Sequence, residues 1–324
     1  MPSHTNRFFD RHAITSLRWA AGLGVLLFTL LPTAAAASDL PRIFTVGFAQ
    51  DTMGNDWRKA QVEDLARHFR SDSNIRFIYT DGGGQTAQQI LDIENLVFQK
   101  IDVLITSPRN GVASAPSIAK AYAAGIPVVL VTRGVPGDQY TTLVAPDDLA
   151  IGARAGEFIA ARLGGKGRVL MLRGVPTATT AQARSKGFMQ AIAHYPGLEL
   201  VAVKDGNYLR GDAIHATEQA LAEGIRFDAI YAQSDSMAAG ARLALQKAGI
   251  DPRDKLIVGI DYISEARDAI RRGEQTASFL YPTCAAETAQ AVLDILHGKT
   301  VPSRITVNTL LITRDNVEQV APIF

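Results

Sequence analysis

The sequence predicts an α/β protein made of two doubly wound parallel sheets, one to each of two lobes. Two observations carry the prediction. Beyond the first segment, short β-branched runs alternate almost without exception with amphipathic helical stretches, and most of the runs are apolar on both faces, as parallel strands covered by helices must be. Each half of that region holds about five such runs, which fits two similar lobes.

The elements follow in chain order. Arg7, Arg11 and Arg18 precede an uncharged apolar run from Trp19 to Leu31, which Pro32 ends and Ala34-Ala35-Ala36-Ala37 follows. This is the pattern of an export signal, with cleavage expected after Ala37. The run is shorter than the roughly 20 residues a membrane span needs. No cysteine follows it to carry a lipid.

The expected strands are Ile43–Ala49, Ile75–Thr80, Val103–Thr106, Val128–Thr132, Thr142–Ala145, Gly167–Leu172, Glu199–Lys204, Asp228–Ala232, Leu256–Ile260 and Thr276–Leu280. Helical stretches lie between them. In Gln85–Phe98, Ile90, Leu91, Glu94 and Val97 are spaced so that the apolar members share a face of an amphipathic helix. Glycine closes several helices, as at Gly125 before Ile126-Pro127-Val128. No flexible linker separates the halves, and Val144-Ala145-Pro146-Asp147 is the best first crossing between lobes.

Composition excludes several functions. The 324-residue chain has a formal net charge of +1, so charge gives no reason to expect a nucleic acid or an acidic membrane as partner. Cys284 is the only cysteine, so no internal disulfide forms; it reads as a small buried residue on a helix. His68, His194, His215 and His297 are scattered without metal-ligand spacing, and no Gly-x-Ser-x-Gly elbow or Gly-Lys-Ser/Thr phosphate loop occurs. Gly82-Gly83-Gly84 reads as a plain turn. No catalytic constellation, metal site or cofactor is expected.

The most informative stretch is the first strand, its polar loop Asp51-Thr52-Met53-Gly54-Asn55-Asp56, and Trp57-Arg58 at the helix start. Ligands of open α/β sheets bind beyond the carboxyl ends of the strands. Polar side chains beside an indole face suit a small polyhydroxylated ligand better than a phosphate, which would need backbone amides from glycines.

Seven motifs fall in order: Val46-Gly47-Phe48-x-Gln50 with Trp57-Arg58; Asp81-Gly82; Ile105-x-Ser107-Pro108; Gly125-Ile126-Pro127-Val128; Arg184-x-x-Gly187-Phe188; Ala232-Gln233-x-Asp235-x-Met237-Ala238-x-Gly240; and Val258-Gly259-Ile260-Asp261. On these motifs the chain resembles the periplasmic sugar-binding proteins of the ribose and galactose type over essentially all of Ile43 to the C-terminus. Its opening motif is most similar to that of the galactofuranose-binding branch. The resemblance implies the type I periplasmic binding protein fold, two Rossmann-like lobes joined by three hinge strands and closing on one sugar. Residues 39–146 plus 282–308 would form the N-terminal lobe, after a signal peptide at 1–37. Residues 147–281 plus 309–324 would form the C-terminal lobe. It further implies a monomer, without enzymatic activity, that serves the membrane permease of an ABC importer or a membrane sensor of chemotaxis or histidine-kinase type. A DNA-binding repressor sharing the core is set aside, because an export signal stands where a helix-turn-helix would be.

Carried over position by position, the resemblance assigns eleven residues to the ligand. Trp57 takes the place of a stacking aromatic, with helix packing as the other reading. Arg58 is a donor to hydroxyls or a solvated surface arginine. Asn55 and Asp56 are polar contacts or helix caps. Arg133 is a bidentate donor that follows Thr132, where the family usually carries aspartate; the substitution removes a strong acceptor. Asp148 is an acceptor or the N-cap of a helix beginning near Leu149. Gln182 falls near the family's binding arginine, while Arg184 is structural or enters the cleft. Tyr208 matches a cleft position of the second lobe, and Ser234 is a ligand contact or an ordinary N-cap. Asp261, a carboxylate directly after a buried strand, is the strongest expected acceptor.

Overall fold

The computed structural model describes residues 42–324, so the export segment and its cleavage position lie outside the described residues. The first sheet contains β1 (Phe44–Gln50), β2 (Ile75–Asp81), β3 (Val103–Thr106), β4 (Val128–Val131), β5 (Thr142–Ala145) and β11 (Arg304–Thr306). Its spatial order is β11-β5-β4-β3-β1-β2, with every pair parallel. The second contains β6 (Lys166–Arg173), β7 (Gly197–Asp205), β8 (Ala229–Ala232), β9 (Leu256–Asp261), β10 (Ala277–Leu280) and β12 (Leu310–Thr313). Its order is β12-β10-β9-β8-β6-β7, and only the β10–β12 pair is antiparallel. Two lobes result. The chain passes between the sheets after β5, after β10 and between β11 and β12.

Sequence alone explains which strands are central. In β8, Ala229 and Tyr231 enter the core on one face of the sheet while Ile230 and Ala232 enter that on the other. Val103 and Ile105 of β3 are likewise split from Leu104. Burying each Val, Leu or Ile stabilises the fold by roughly 1.5–3 kcal/mol, so these short runs have no alternative placement. β11 and β12 were not expected. They are short, half-exposed edge strands; β11 has a single apolar residue, Ile305, whereas β12 carries the run Leu310-Leu311-Ile312.

Nine helices cover the sheets among the described residues: α1 (Asp56–Arg70), α2 (Thr86–Phe98), α3 (Gly111–Ala123), α4 (Asp148–Arg162), α5 (Thr179–Ile192), α6 (Arg210–Ala222), α7 (Asp235–Lys247), α8 (Ser264–Arg272) and α9 (Ala285–Leu296). The α4–α5 packing depends on glycine. A Cβ at Gly152 would overlap the Arg184 carbonyl oxygen, and one at Gly187 would overlap the Leu149 carbonyl oxygen. This accounts for the Arg-x-x-Gly-Phe motif: Gly187 admits α4, and Phe188 stacks on Tyr231 with ring centroids 4.6 Å apart.

Two local expectations need correction. The buried face of α2 is Gln89, Asp92, Ile93 and Leu96, not the set containing Ile90, Leu91 and Val97; Leu91 is largely exposed. Gln89 is fully buried because its amide donates to the carbonyls of Ala49 and Ser107 and accepts from the Arg109 amide, which hydropathy spacing does not reveal. Cys284 is buried as expected but precedes α9 as its cap residue, with φ 59°. Burial pushes its thiol well above the ordinary range, leaving an unreactive group.

Candidate functional site

The carboxyl ends of β1, β6, β9 and β10 and the loops after them surround a cavity of about 280 Å³ between the two sheets. That is near the lower end of the roughly 300–1,000 Å³ usual for small-molecule pockets. Eight of the eleven expected residues line it: Asn55, Trp57, Arg58, Arg133, Arg184, Tyr208, Ser234 and Asp261.

Asp56, Asp148 and Gln182 do not line it. Asp56 is the exposed first residue of α1, and Asn55 is the cap, accepting from the Arg58 amide at 3.0 Å. Asp147, not Asp148, caps α4, accepting from the Ala150 amide. Asp148 sits behind the cleft, paired with Arg184 at 2.8 Å and accepting from the Tyr281 hydroxyl at 3.2 Å. Gln182 lies on the exposed face of α5 and donates to the Pro176 carbonyl.

The first-sheet wall is a guanidinium cluster about one carboxylate. β1 ends at Gln50, whose side chain accepts from the Asp51 amide and donates to Gln61. This turns Asp51 into the cleft, where Arg133 is 2.7 Å, Arg58 3.6 Å and Arg109 3.9 Å away. Asp51 is 1% exposed. Burial pushes its carboxyl up, but the three guanidiniums, Arg133 foremost, outweigh that and hold it below the ordinary range. Arg58 is lowered to about 10, first by burial and then by Arg133, with Asp51 offsetting part of the loss. Its Nη1 donates to Gln61, Ser107 and Thr132. Thr132 therefore takes a neutral part in holding Arg58, while the acid that meets Arg133 comes from the end of β1.

The second-sheet wall is built from paired and buried acids. Arg184 donates to Asp148 and, at 2.7 Å, to the Gln233 carbonyl. Its guanidinium lies 4.4 Å from the centroid of the Tyr281 ring. Burial alone would lower Arg184, but Asp148 together with Tyr208, Tyr281 and Asp261 more than offsets it and keeps the guanidinium charged. Asp261 is 6% exposed, and no side chain among the described residues hydrogen-bonds it. Burial first, and Asp235 second, raise its carboxyl well above the ordinary range. Asp235 accepts from the Tyr262 amide at 2.6 Å, from Ser278 at 2.6 Å and from Gln275 at 2.7 Å. Gly259 makes room for this, since a Cβ there would overlap the Asp235 carboxylate; Val-Gly-Ile-Asp is thus a steric requirement. The bond to Tyr262 pins the turn that presents Asp261.

Backbone strain gathers here. Among the described residues, positive φ outside glycine occurs at Lys100, Thr132, Asn207, Tyr208, Asp261, Tyr262 and Cys284. Asn207, Tyr208 and Asp261 line the cavity. Each such residue costs on the order of 1–3 kcal/mol and persists only where its surroundings enforce it. The Tyr208 ring fits because Gly174 has no Cβ, and its hydroxyl meets Thr180 at 2.9 Å.

Contacts cross the mouth. Asn55 donates to the Tyr208 carbonyl at 2.7 Å, and the Trp57 indole N–H donates to the Tyr281 carbonyl at 3.1 Å. Thr177 donates to the Arg109 carbonyl at 3.0 Å. Trp57 also joins the apolar core of the second sheet, so it both packs and lines the cleft. Ser234 likewise does two jobs, capping α7 through the Met237 amide and lining the cavity. Asp51, Arg109, Asn207 and Tyr281 were not expected at the site. Only the position of Asp51, directly after the first strand, offered a signal in the sequence.

Comparison with known proteins agrees with this architecture. Residues 46–300 match the family described as the Periplasmic binding protein domain. The xylitol-binding protein of Mycolicibacterium smegmatis is 30% identical, over 92% of this chain and 84% of its own length. The ribose import binding protein of Bacillus subtilis is 29% identical, over 81% of this chain and 85% of its own. Among solved structures, the fructose-binding periplasmic domain of a hybrid two-component system superposes with a TM-score of 0.82 at 30% identity, covering 85% of this chain and 92% of its own. With two lobes of type I architecture and a matching domain across most of its length, the chain belongs to the periplasmic binding protein family.

Proposed function

We propose that this chain is an exported solute-binding protein that captures one monosaccharide-sized polyol between its lobes and delivers it to an ABC-type importer. The observation that carries the reading is the cavity of about 280 Å³ whose two walls offer guanidiniums, carboxylates and aromatic rings and are already bridged by hydrogen bonds. Charge-assisted hydrogen bonds hold hydroxyls strongly, aromatic faces cover C–H surface, and lobe closure removes both from water. The relatives named for xylitol and ribose import support a polyol or sugar as ligand and import as purpose.

Arg58, Arg133 and Arg184 act as donors, Asp261 as the acceptor, and Trp57, Tyr208 and Tyr281 as the aromatic surface. Asn55 and Ser234 hold the helix starts at the mouth. Asp148 supports Arg184 from behind. Lobe boundaries fall near residues 146, 282 and 308, where the chain passes between sheets. The protein acts as a monomer in the periplasm, after removal of residues 1–37.

A thermal-shift screen of the purified chain over pentoses, hexoses, their furanose-rich members and linear polyols tests this. One member should stabilise the protein saturably and compact it in solution scattering; no shift with any of them contradicts the reading. The similarity to the fructose-binding domain of a two-component system favours a second reading, in which the closed lobes signal to a membrane sensor. Deleting the gene separates the two. Loss of uptake with intact induction favours import, and loss of induction with intact uptake favours sensing.

A further inference from the structure

We propose that the ligand carries a carboxylate, a sugar acid such as a uronate or aldonate, held by Arg58, Arg109 and Arg133 on the first-sheet wall. This rests on the sugar-binding reading of the same cleft and narrows it. Four arginines line the cavity but only two acids, Asp51 and Asp261. Arg184 has its own partners in Asp148 and the Gln233 carbonyl. The other three share Asp51. Arg133 is 1% exposed, and its Nε has no hydrogen-bond partner among the described residues. Arg58 donates only to neutral oxygens. A desolvated cation is stable only when paired, so this wall is short of negative charge once the lobes close. A neutral sugar supplies none.

The missing charge belongs to a carboxylate and not a phosphate. The glycine turn at the cavity's edge could offer amides to a phosphate only if they were free. Gly83 already donates to Asp81 at 2.9 Å, and Gly84 donates to the Asp51 carbonyl at 2.8 Å. The guanidiniums that remain match the planar, bidentate geometry of a carboxylate. The hydroxylated end of the ligand would then meet Asp261 and Ser234 on the opposite wall.

Calorimetric titration of the full chain at pH 7 with matched pairs tests this: galactose with galacturonate, glucose with glucuronate and gluconate, ribose with ribonate, and the corresponding sugar phosphates. The acid of at least one pair should bind at least tenfold more tightly than its neutral parent. In Arg109→Gln, a variant at the partly exposed edge of the cluster, the preference should fall at least threefold; in Arg133→Gln the ratio of acid to neutral affinity should fall to one, whatever the loss in affinity for the neutral parent. Equal or tighter binding of the neutral parents overturns the inference and leaves the sugar reading standing. Tighter binding of a sugar phosphate overturns the choice of carboxylate. Failure of every sugar, acid and phosphate to bind removes the sugar reading itself, and the inference with it.

Discussion

The two walls of the cleft solve the burial of charge in opposite ways. On the first, one carboxylate at the end of β1 serves three arginines, so positive charge is in excess and Asp51 stays ionised. On the second, Arg184 is matched by Asp148, and the extra charges are the acids Asp235 and Asp261, which burial pushes toward their protonated forms. Similar topology thus presents a donor-rich face and an acceptor-rich face. The difference also separates surroundings: Asp51 is tied to three guanidiniums of its wall, whereas Asp261 lines the cavity with no side-chain partner among the described residues.

That contrast sets the largest expected effect. Asp51→Ala removes the one carboxylate that, among the described residues, pairs with these three guanidiniums, and breaking a buried pair in this way costs about 3–5 kcal/mol. Urea unfolding of the variant should show that loss. The matching change on the other wall, Asp261→Asn, should leave unfolding stability at pH 7 unchanged or higher. Equal losses in both would erase the distinction between the walls.

Asp235 sharpens the comparison through pH. Its carboxyl is raised from 3.8 to about 6, burial being the cause. The folded protein therefore binds its proton more tightly than the unfolded chain does. The cost of ionising it is absent below pH 4, accumulates as pH rises to 6, and is fully present above that. The contribution is about 2–3 kcal/mol. Stability measured across that window should fall less with rising pH in Asp235→Asn than in the wild type, and parallel profiles would contradict the assignment.

A smaller loss is expected at the α4–α5 contact that positions Arg184 in the cleft. Gly152→Ala forces a Cβ against the Arg184 carbonyl, and overpacking of this kind costs about 1–3 kcal/mol. A lowered melting temperature with weaker ligand binding is the expected result. The smallest effect belongs to Arg173→Ala. Its pair with Asp205 is exposed, and such pairs contribute about 0–1 kcal/mol, so melting should hardly change.

Much of the fold was legible because a parallel sheet writes itself into sequence. Val128–Val131 and Ala229–Ala232 are buried on both faces, so they could hardly be other than apolar. β11 was illegible because an edge strand need not be; β12 does carry the apolar run Leu310-Leu311-Ile312, which was overlooked. Asp261 stood out as a carboxylate at the end of a buried run, whereas Arg133 was assigned through the resemblance. Asp51 was not assigned to the site, although it too follows a strand. Its meaning lies in Arg133, 82 residues away in sequence, and no local pattern encodes that pairing. Asp148 does not line the cavity: the resemblance located the right helix start, but the side chain meets Arg184 from behind.

The central claim is that two walls of unlike charge close on a single hydroxylated ligand. The most direct measurement is calorimetric titration of the wild type, Arg58→Gln and Asp261→Asn with the best ligand from the sugar panel. One site per chain is expected in the wild type, with affinity reduced more than tenfold, about 1.4 kcal/mol, in each variant. Undiminished affinity in both variants would contradict it.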